Sequence, residues 1–231
     1  MSDSDSVTGV MAQVKSPATS AVSRRDRARA TRLRMTRAAH ELFVARGYAG
    51  ARMADIADAA GVAVQTLYFT FHTKAELLQA CYELAVLGED EPLPPPEQPW
   101  YAAMLRAKSG RVALQHFAVG NSSIVARVGV LDDVIRSAAH EPDAAAVRQH
   151  SEQLRRDGYR DVIEYLDSRF NLRAGLDVAA ATDLLLAFGG TALYRSLVVD
   201  YGWPHERYVD WLAATLGDQL LPTRSKPRRA T

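Results

Sequence analysis

One cysteine in 231 residues, Cys81, excludes an intrachain disulfide and fits a reducing compartment. It falls beside Leu77, Leu78 and Tyr82 on a helical pattern, so a buried apolar role is expected of it. No apolar run approaches the ~18 residues a bilayer-crossing helix needs. The start, MSDSDSVTGV, has neither the charged lead nor the apolar stretch of a secretory signal. A cytoplasmic chain with no membrane partner is therefore expected. Catalytic motifs are missing too: there is no G-x-S-x-G, no G-x-x-x-x-G-K, no G-x-G-x-x-G and no conspicuous carboxylate pair. The six histidines form no H-x-x-x-H and none pairs with the cysteine at ligand spacing; His140, Glu141 and His150 are scattered. We expect no enzyme, no metal and no cofactor. Asn121-Ser122-Ser123 matches the glycosylation triplet, which carries no meaning in a cytoplasmic protein.

Strand-like alternation is absent as well, and the chain reads as all-α, long enough for one or two domains. The net charge of +1 conceals an asymmetry. Arg24 to Lys74 hold ten Lys or Arg against four Asp or Glu, a net of +6, which leaves −5 elsewhere. Such a basic segment is the electrostatic footprint of a nucleic-acid binder.

Within that segment, residues 53–78 read MADIADAAGVAVQTLYFTFHTKAELL. A helix from about Met53 to Ala60 would bury Ile56, Ala57 and Ala60, and Gly61 closes it with a positive φ. Val62 can plug the corner. A second helix, about Val64 to Phe71, would bury Leu67 and Phe71 one turn apart. Its other face carries Val64, Gln65, Thr66, Tyr68, Phe69 and Thr70, side chains suited to base edges, thymine methyls and phosphates. This is the pattern of a helix-turn-helix with its reading helix second. A helical hairpin that docks a protein partner is the alternative.

Around the motif, residues 1–22 read as a disordered tail, and the arm RRDRARATRLR (24–34) feeds a helix ending near Arg46. Met35, Ala38, Ala39, Leu42 and Phe43 form its buried stripe, and Gly47 stops it. The arm is either a groove or phosphate contact or a solvated helix start. Thr73 can cap a connecting helix, 74–87, which completes an N-terminal unit of residues 23–87. Residues 88–99 hold five prolines and read as a non-helical linker, with a proline-rich ligand for another domain as the alternative. The unit 100–222 reads as helices at about 100–107, 109–138, 143–170, 177–200 and 204–221, the second kinked or split near Gly120 or Gly129. Residues 223–231 read as a basic tail.

Met35 to Leu78 resembles the DNA-binding domain of the tetracycline-repressor (TetR) family of bacterial regulators. The landmarks are Ala38-Ala39, Leu42-Phe43, Gly47-Tyr48, Asp55-Ile56-Ala57, Ala60-Gly61-Val62, Thr66-Leu67-Tyr68, Phe71, Lys74 and Leu77. Two positions depart from the family pattern. Ala51-Arg52 stand where hydroxyl residues usually cap the first motif helix, and Thr70 stands where an aromatic or histidine is common. Arg52 there could reach phosphate or a groove edge. By matching position, Gln65 and Thr66 are candidates for base contacts, with Val64 on a thymine methyl, and Tyr68 matches a phosphate-binding tyrosine. Lys74, at a helix N-terminus, adds charge for phosphate.

The last two helices are apolar over more than one stripe and call for cover beyond their own subunit. Leu193, Leu197, Tyr208, Leu212, Thr215, Leu216 and Gln219 are the candidate interface of a four-helix dimer contact, as the resemblance also implies, with the core of a monomer as the alternative. Phe117, Asn121, Ile124, Val128, Leu131, Tyr165, Phe188 and Tyr194 could line an apolar cavity, a reading the resemblance strengthens. The expectation is a homodimer on a palindromic double-stranded DNA operator, acting as a repressor that a small-molecule effector relieves.

Overall fold

The structure is a computed structural model that describes residues 23–88 and 93–222. The expected tails, 1–22 and 223–231, and the middle of the linker lie outside the described residues. The described chain is helical, with no strand among its residues.

The first helix, α1 (Arg24–Gly50), starts at a capping box: Ser23 Oγ accepts from Asp26 N–H while the Asp26 carboxylate accepts from Ser23 N–H. The basic arm is thus regular helix from its first arginine. Gly47, at φ 69°, breaks it and turns the chain so that Tyr48 packs against Phe43. Next come α2 (Met53–Ala59) and α3 (Val64–Thr70), separated by Gly61 at φ 66°. A positive φ is cheap only for glycine, so the turn chemistry expected there is the turn that forms. Thr73 Oγ1 accepts from Glu76 N–H to start α4 (Lys74–Leu87).

The described part of the proline-rich connection, expected to be non-helical, contains a helical turn. Pro95–Glu97 close one 3₁₀ turn, pinned by Gln98 Nε2 donating to the Leu93 carbonyl. Proline tolerates a single turn at a helix start because its missing N–H would have no partner there. It leads into α5 (Pro99–Leu105), then α6 (Gly110–Ser137) and α7 (Pro142–Phe170). The expected kink in α6 does not occur. Gly120 instead lets the Trp100 ring lie flat on the helix, where any Cβ would collide with it.

The expected single helix 177–200 is divided. α8 (Val178–Phe188) ends at Gly189-Gly190, α9 (Thr191–Tyr194) starts anew, and Arg195–Asp200 continue as a π-type turn. The break has a tertiary cause. The Gly189 carbonyl, freed from the helix, accepts from Asn121 Nδ2 at 3.0 Å and lies 2.9 Å from the Tyr159 hydroxyl. The final helix is α10 (His205–Leu220).

Two apolar cores result. One joins α1–α4 to the far end of α6 and the near end of α7, through Leu131, Val134, Ile135, Ala138, Ala144 and Val147. The other joins α5, the near end of α6, the far end of α7, α8 and α10 around Phe117, Leu166, Leu185 and Tyr208. Cys81 lies wholly inside the first, its thiol donating to the Thr36 carbonyl. No helix among the described residues is long and apolar enough to cross a membrane.

Candidate DNA-binding surface and ligand cavity

The reading face of α3 follows from its length. Seven residues make two turns, and Leu67 is fully buried while Phe71, just past the end, is buried too. Those two anchors fix the helix and leave Gln65, Thr66, Tyr68 and Phe69 exposed on the opposite side, Phe69 by 85%. Val64 is half-buried against the core, and Thr70 turns its hydroxyl back onto the Thr66 carbonyl at 2.9 Å. Gln65, Thr66 and Tyr68 are therefore the exposed polar side chains of that face.

The basic residues around this face differ in how freely they stand. Arg52 grips Asp55 through two hydrogen bonds of 3.0 and 2.9 Å, and Arg46 joins the same carboxylate at 2.9 Å. The hydrogen bond from Arg52 holds the Asp55 carboxyl below its usual range. Arg52 makes no side-chain cap, as its chemistry requires. Its charge instead belongs to a surface network over the start of α2. Lys74 is half-buried, its ammonium 4.4 Å from the Tyr48 ring centre and 3.3 Å from the Ala49 carbonyl, and burial lowers its pKa. Arg32 lies 4.3 Å over the Phe71 ring and reaches the Thr70 carbonyl, tying the arm to the end of α3. Arg24, Arg25, Arg27, Arg29 and Arg34 are exposed along the same arm.

A cavity of about 530 Å³ lies between α4, the 3₁₀ turn, α5, α6 and α7. Of the eight candidates, Phe117, Asn121, Ile124 and Val128 line it. The other four are placed elsewhere. Leu131, one turn on from Val128, faces the first core. Tyr165 packs against Phe170 and donates to the Leu105 carbonyl at 3.0 Å. Phe188 packs at the end of α8, and Tyr194 sits against Tyr208 with its hydroxyl 3.0 Å from His205 Nδ1.

Sequence reading missed the aromatic wall of this cavity: Tyr82, Trp100, Tyr101 and Tyr159. Trp100 meets Phe117 edge-on at 6.2 Å, and Phe117 meets Tyr159 likewise at 5.6 Å. Tyr159 is held by Asn121 Oδ1 at 2.5 Å, and Trp100 Nε1 donates to Gln98 Oε1. The inward face of α4 and the proline before α5 were signals available for Tyr82 and Trp100. Nothing along the chain pointed to Tyr159.

The candidate interface residues also divide. Tyr208, Leu212 and Leu216 are completely buried within the chain itself, because α10 packs them onto α6 and α8. Leu193, Leu197, Thr215 and Gln219 are only half-buried. Beside them Val199 and Tyr201 are 67% and 72% exposed, and Trp203 and Trp211 meet edge-on. Among the described residues no group of three or more His, Cys, Asp or Glu is arranged to hold a metal ion.

Comparison with known proteins bears on the motif directly. Residues 36–81 match the model for bacterial regulatory proteins of the tetR family. The N-terminal helices form a TetR-family DNA-binding domain. Solved structures similar to most of the chain share its fold at low identity. NalD, the secondary repressor of the MexAB-OprM multidrug efflux pump in Pseudomonas aeruginosa, superposes at TM-score 0.66 with 19% identity. That match covers 85% of this chain and 98% of NalD. FadR from Bacillus subtilis, solved with stearoyl-CoA, gives 0.64 at 14% identity over 80% of this chain and 96% of its own. The fatty acid degradation regulator FadR from Bacillus halodurans gives 0.64 at 15% over 80% and 94%. No curated protein matches the chain. The TetR-family domain accounts for the landmark residues already described: Leu67 and Phe71 are its anchors, and Thr66 and Tyr68 project from it. Residues 36–81 thus carry a tetR-family regulatory-protein domain, and most of the chain has the fold of the regulators it superposes on.

Proposed function

We propose that the chain is a homodimeric repressor of a palindromic operator and that a small molecule in the α4–α7 cavity relieves repression. The exposed polar side of α3 carries this reading: two buried anchors hold out Gln65, Thr66, Tyr68 and Phe69, with the arginine arm of α1 beside them. Two such helices must sit one DNA turn apart, ~34 Å, to engage both half-sites together. A contact of α9, the π-type turn after it and α10 with their twins would set that distance. Its contact residues are Leu193, Leu197, Thr215 and Gln219 with exposed Val199 and Tyr201, since Tyr208, Leu212 and Leu216 face inward.

The cavity supports relief because of where it stands. Val128 and Asp132 line it, and Leu131, between them on α6, belongs to the core of the DNA-binding unit. A ligand that spreads α6 from α7 would move the anchors of that unit and change the spacing of the two α3 helices. Moving the population from 1:99 to 99:1 requires about 5.5 kcal/mol of differential affinity.

A gel shift with DNA from upstream of the chain's own gene tests the reading, comparing wild type with Tyr68→Phe and Lys74→Ala. Loss of the shift in both variants with dimerisation unchanged is the expected result. Duplex binding that neither variant weakens, or that does not fall steeply with salt, would overturn it. A strictly monomeric protein in sedimentation would point instead to a module that docks a protein partner.

A further inference from the structure

The polar groups of the cavity are unequal in sign, and that inequality identifies a ligand class. Among the described residues, Glu83, Asp132, Glu152 and Asp161 line it, against one cationic side chain, Arg155. Arg155 is already engaged. Its guanidinium donates to Glu152 at 2.7 Å and to the Leu186 carbonyl at 3.4 Å, and lies 5.6 Å from the Tyr159 ring. Asp132 is the most buried of the carboxylates. Arg136 and Thr191 reach it at 2.7 and 2.6 Å, and both bonds fall on Oδ2, which leaves Oδ1 to accept from a ligand. Ser151, 6% exposed and also lining the cavity, has a buried Oγ with no hydrogen-bond partner. The rings of Tyr82, Trp100, Tyr101, Phe117 and Tyr159 line the cavity as well.

We propose that this cavity binds an amphiphilic organic cation, its apolar body against the aromatic wall and its ammonium toward Asp132. The proposal rests on the reading of the cavity as the effector site and names what that effector is. Arg136 and Thr191 already meet Asp132 through Oδ2, so a ligand ammonium would share the carboxylate through its other oxygen. Aromatic faces attract an ammonium through their quadrupoles, more strongly where water is excluded. An anionic amphiphile would meet the reverse: four carboxylates, and an arginine it would have to take from Glu152. Burial chiefly, with Asp132 adding to it and Arg155 opposing, holds the Tyr82 phenol in its neutral, proton-bearing form.

Calorimetry with three probes sharing one tail tests the sign: dodecyltrimethylammonium, dodecanol and dodecanoate, each below its micelle concentration, on the full-length protein. The ammonium should bind at least tenfold more tightly than dodecanoate, with dodecanol between. Asp132→Asn should reduce ammonium affinity about tenfold and leave dodecanol within twofold, dodecanol serving as the check that the cavity remains intact. Glu152→Gln should act the same way with a smaller loss. Equal or tighter binding of dodecanoate, a preference unchanged in both variants, or binding of none of the probes would overturn the proposal. Operator release is read separately by gel shift with each probe. Release by dodecanoate alone would sink the cation and keep ligand relief. Tight ammonium binding without release from any probe would keep the cation and sink ligand relief.

Discussion

The short helices of the DNA-binding unit and the long helices behind it use their side chains in different ways. α3 has seven residues and one fully buried anchor, so most of its surface is turned outward. α6 has 28 residues and buries side chains along its whole length, yet not into one place. Phe117 and Ala118 enter the core shared with α10, whereas Leu131, Val134 and Ile135 enter the core of the DNA-binding unit. α7 is divided the same way, Ala144 and Val147 to one core and Val162 to Leu166 to the other. A short helix presents a surface and a long one connects two interiors. The cavity lies along the connecting pair.

The largest expected effect cuts that connection. Leu131→Ala removes a fully buried side chain from the shared core, at a cost of about 2–5 kcal/mol. The loss should appear in the DNA-binding unit although the residue lies on α6. Chemical denaturation followed by hydrogen exchange should find the amides of α2 and α3 deprotected at least as much as those of α10. Deprotection confined to α5–α10 would mean that the two interiors are independent.

A middle-sized effect separates surface from interior. Gln65→Ala removes an exposed group from α3, so stability should stay within about 0.5 kcal/mol of wild type. Operator affinity should fall by about 1–3 kcal/mol if Gln65 pairs with a base, measured by titration against a fixed operator. A stability loss without an affinity loss would assign Gln65 to the fold.

The same division explains what was legible in the sequence. The elements of the DNA-binding unit rest on local signals: the stripe from Met35 to Phe43, Gly61 at positive φ, and Thr73 as a cap. Each needs only neighbours within a turn or two, so sequence spacing suffices. In the long helices, periodicity told which side faces inward but not which interior it faces. Leu131 therefore read as cavity wall and lies in the other core, and Tyr208, Leu212 and Leu216 read as a dimer face and are enclosed by α6 and α8. The break at Gly189-Gly190 depends on Asn121 and Tyr159, remote along the chain, and no local rule could supply them.

Cys81 offers the smallest effect and a direct measure of how tightly the DNA-binding interior is closed. Burial pushes its thiol up to about 12, so its neutral form persists through the physiological range. The thiolate is the reactive species, and an unperturbed thiol near 8.5 ionises appreciably at pH 8. A thiol reagent at pH 8 should leave the native protein unmodified over the time in which the denatured chain reacts completely. Labelling of Leu131→Ala should be faster than labelling of wild type, because opening this core is what admits the reagent. Equal labelling rates in the two proteins would show that Leu131 does not help to close the interior around Cys81, and the connection drawn along α6 would fail at the place where it is most direct.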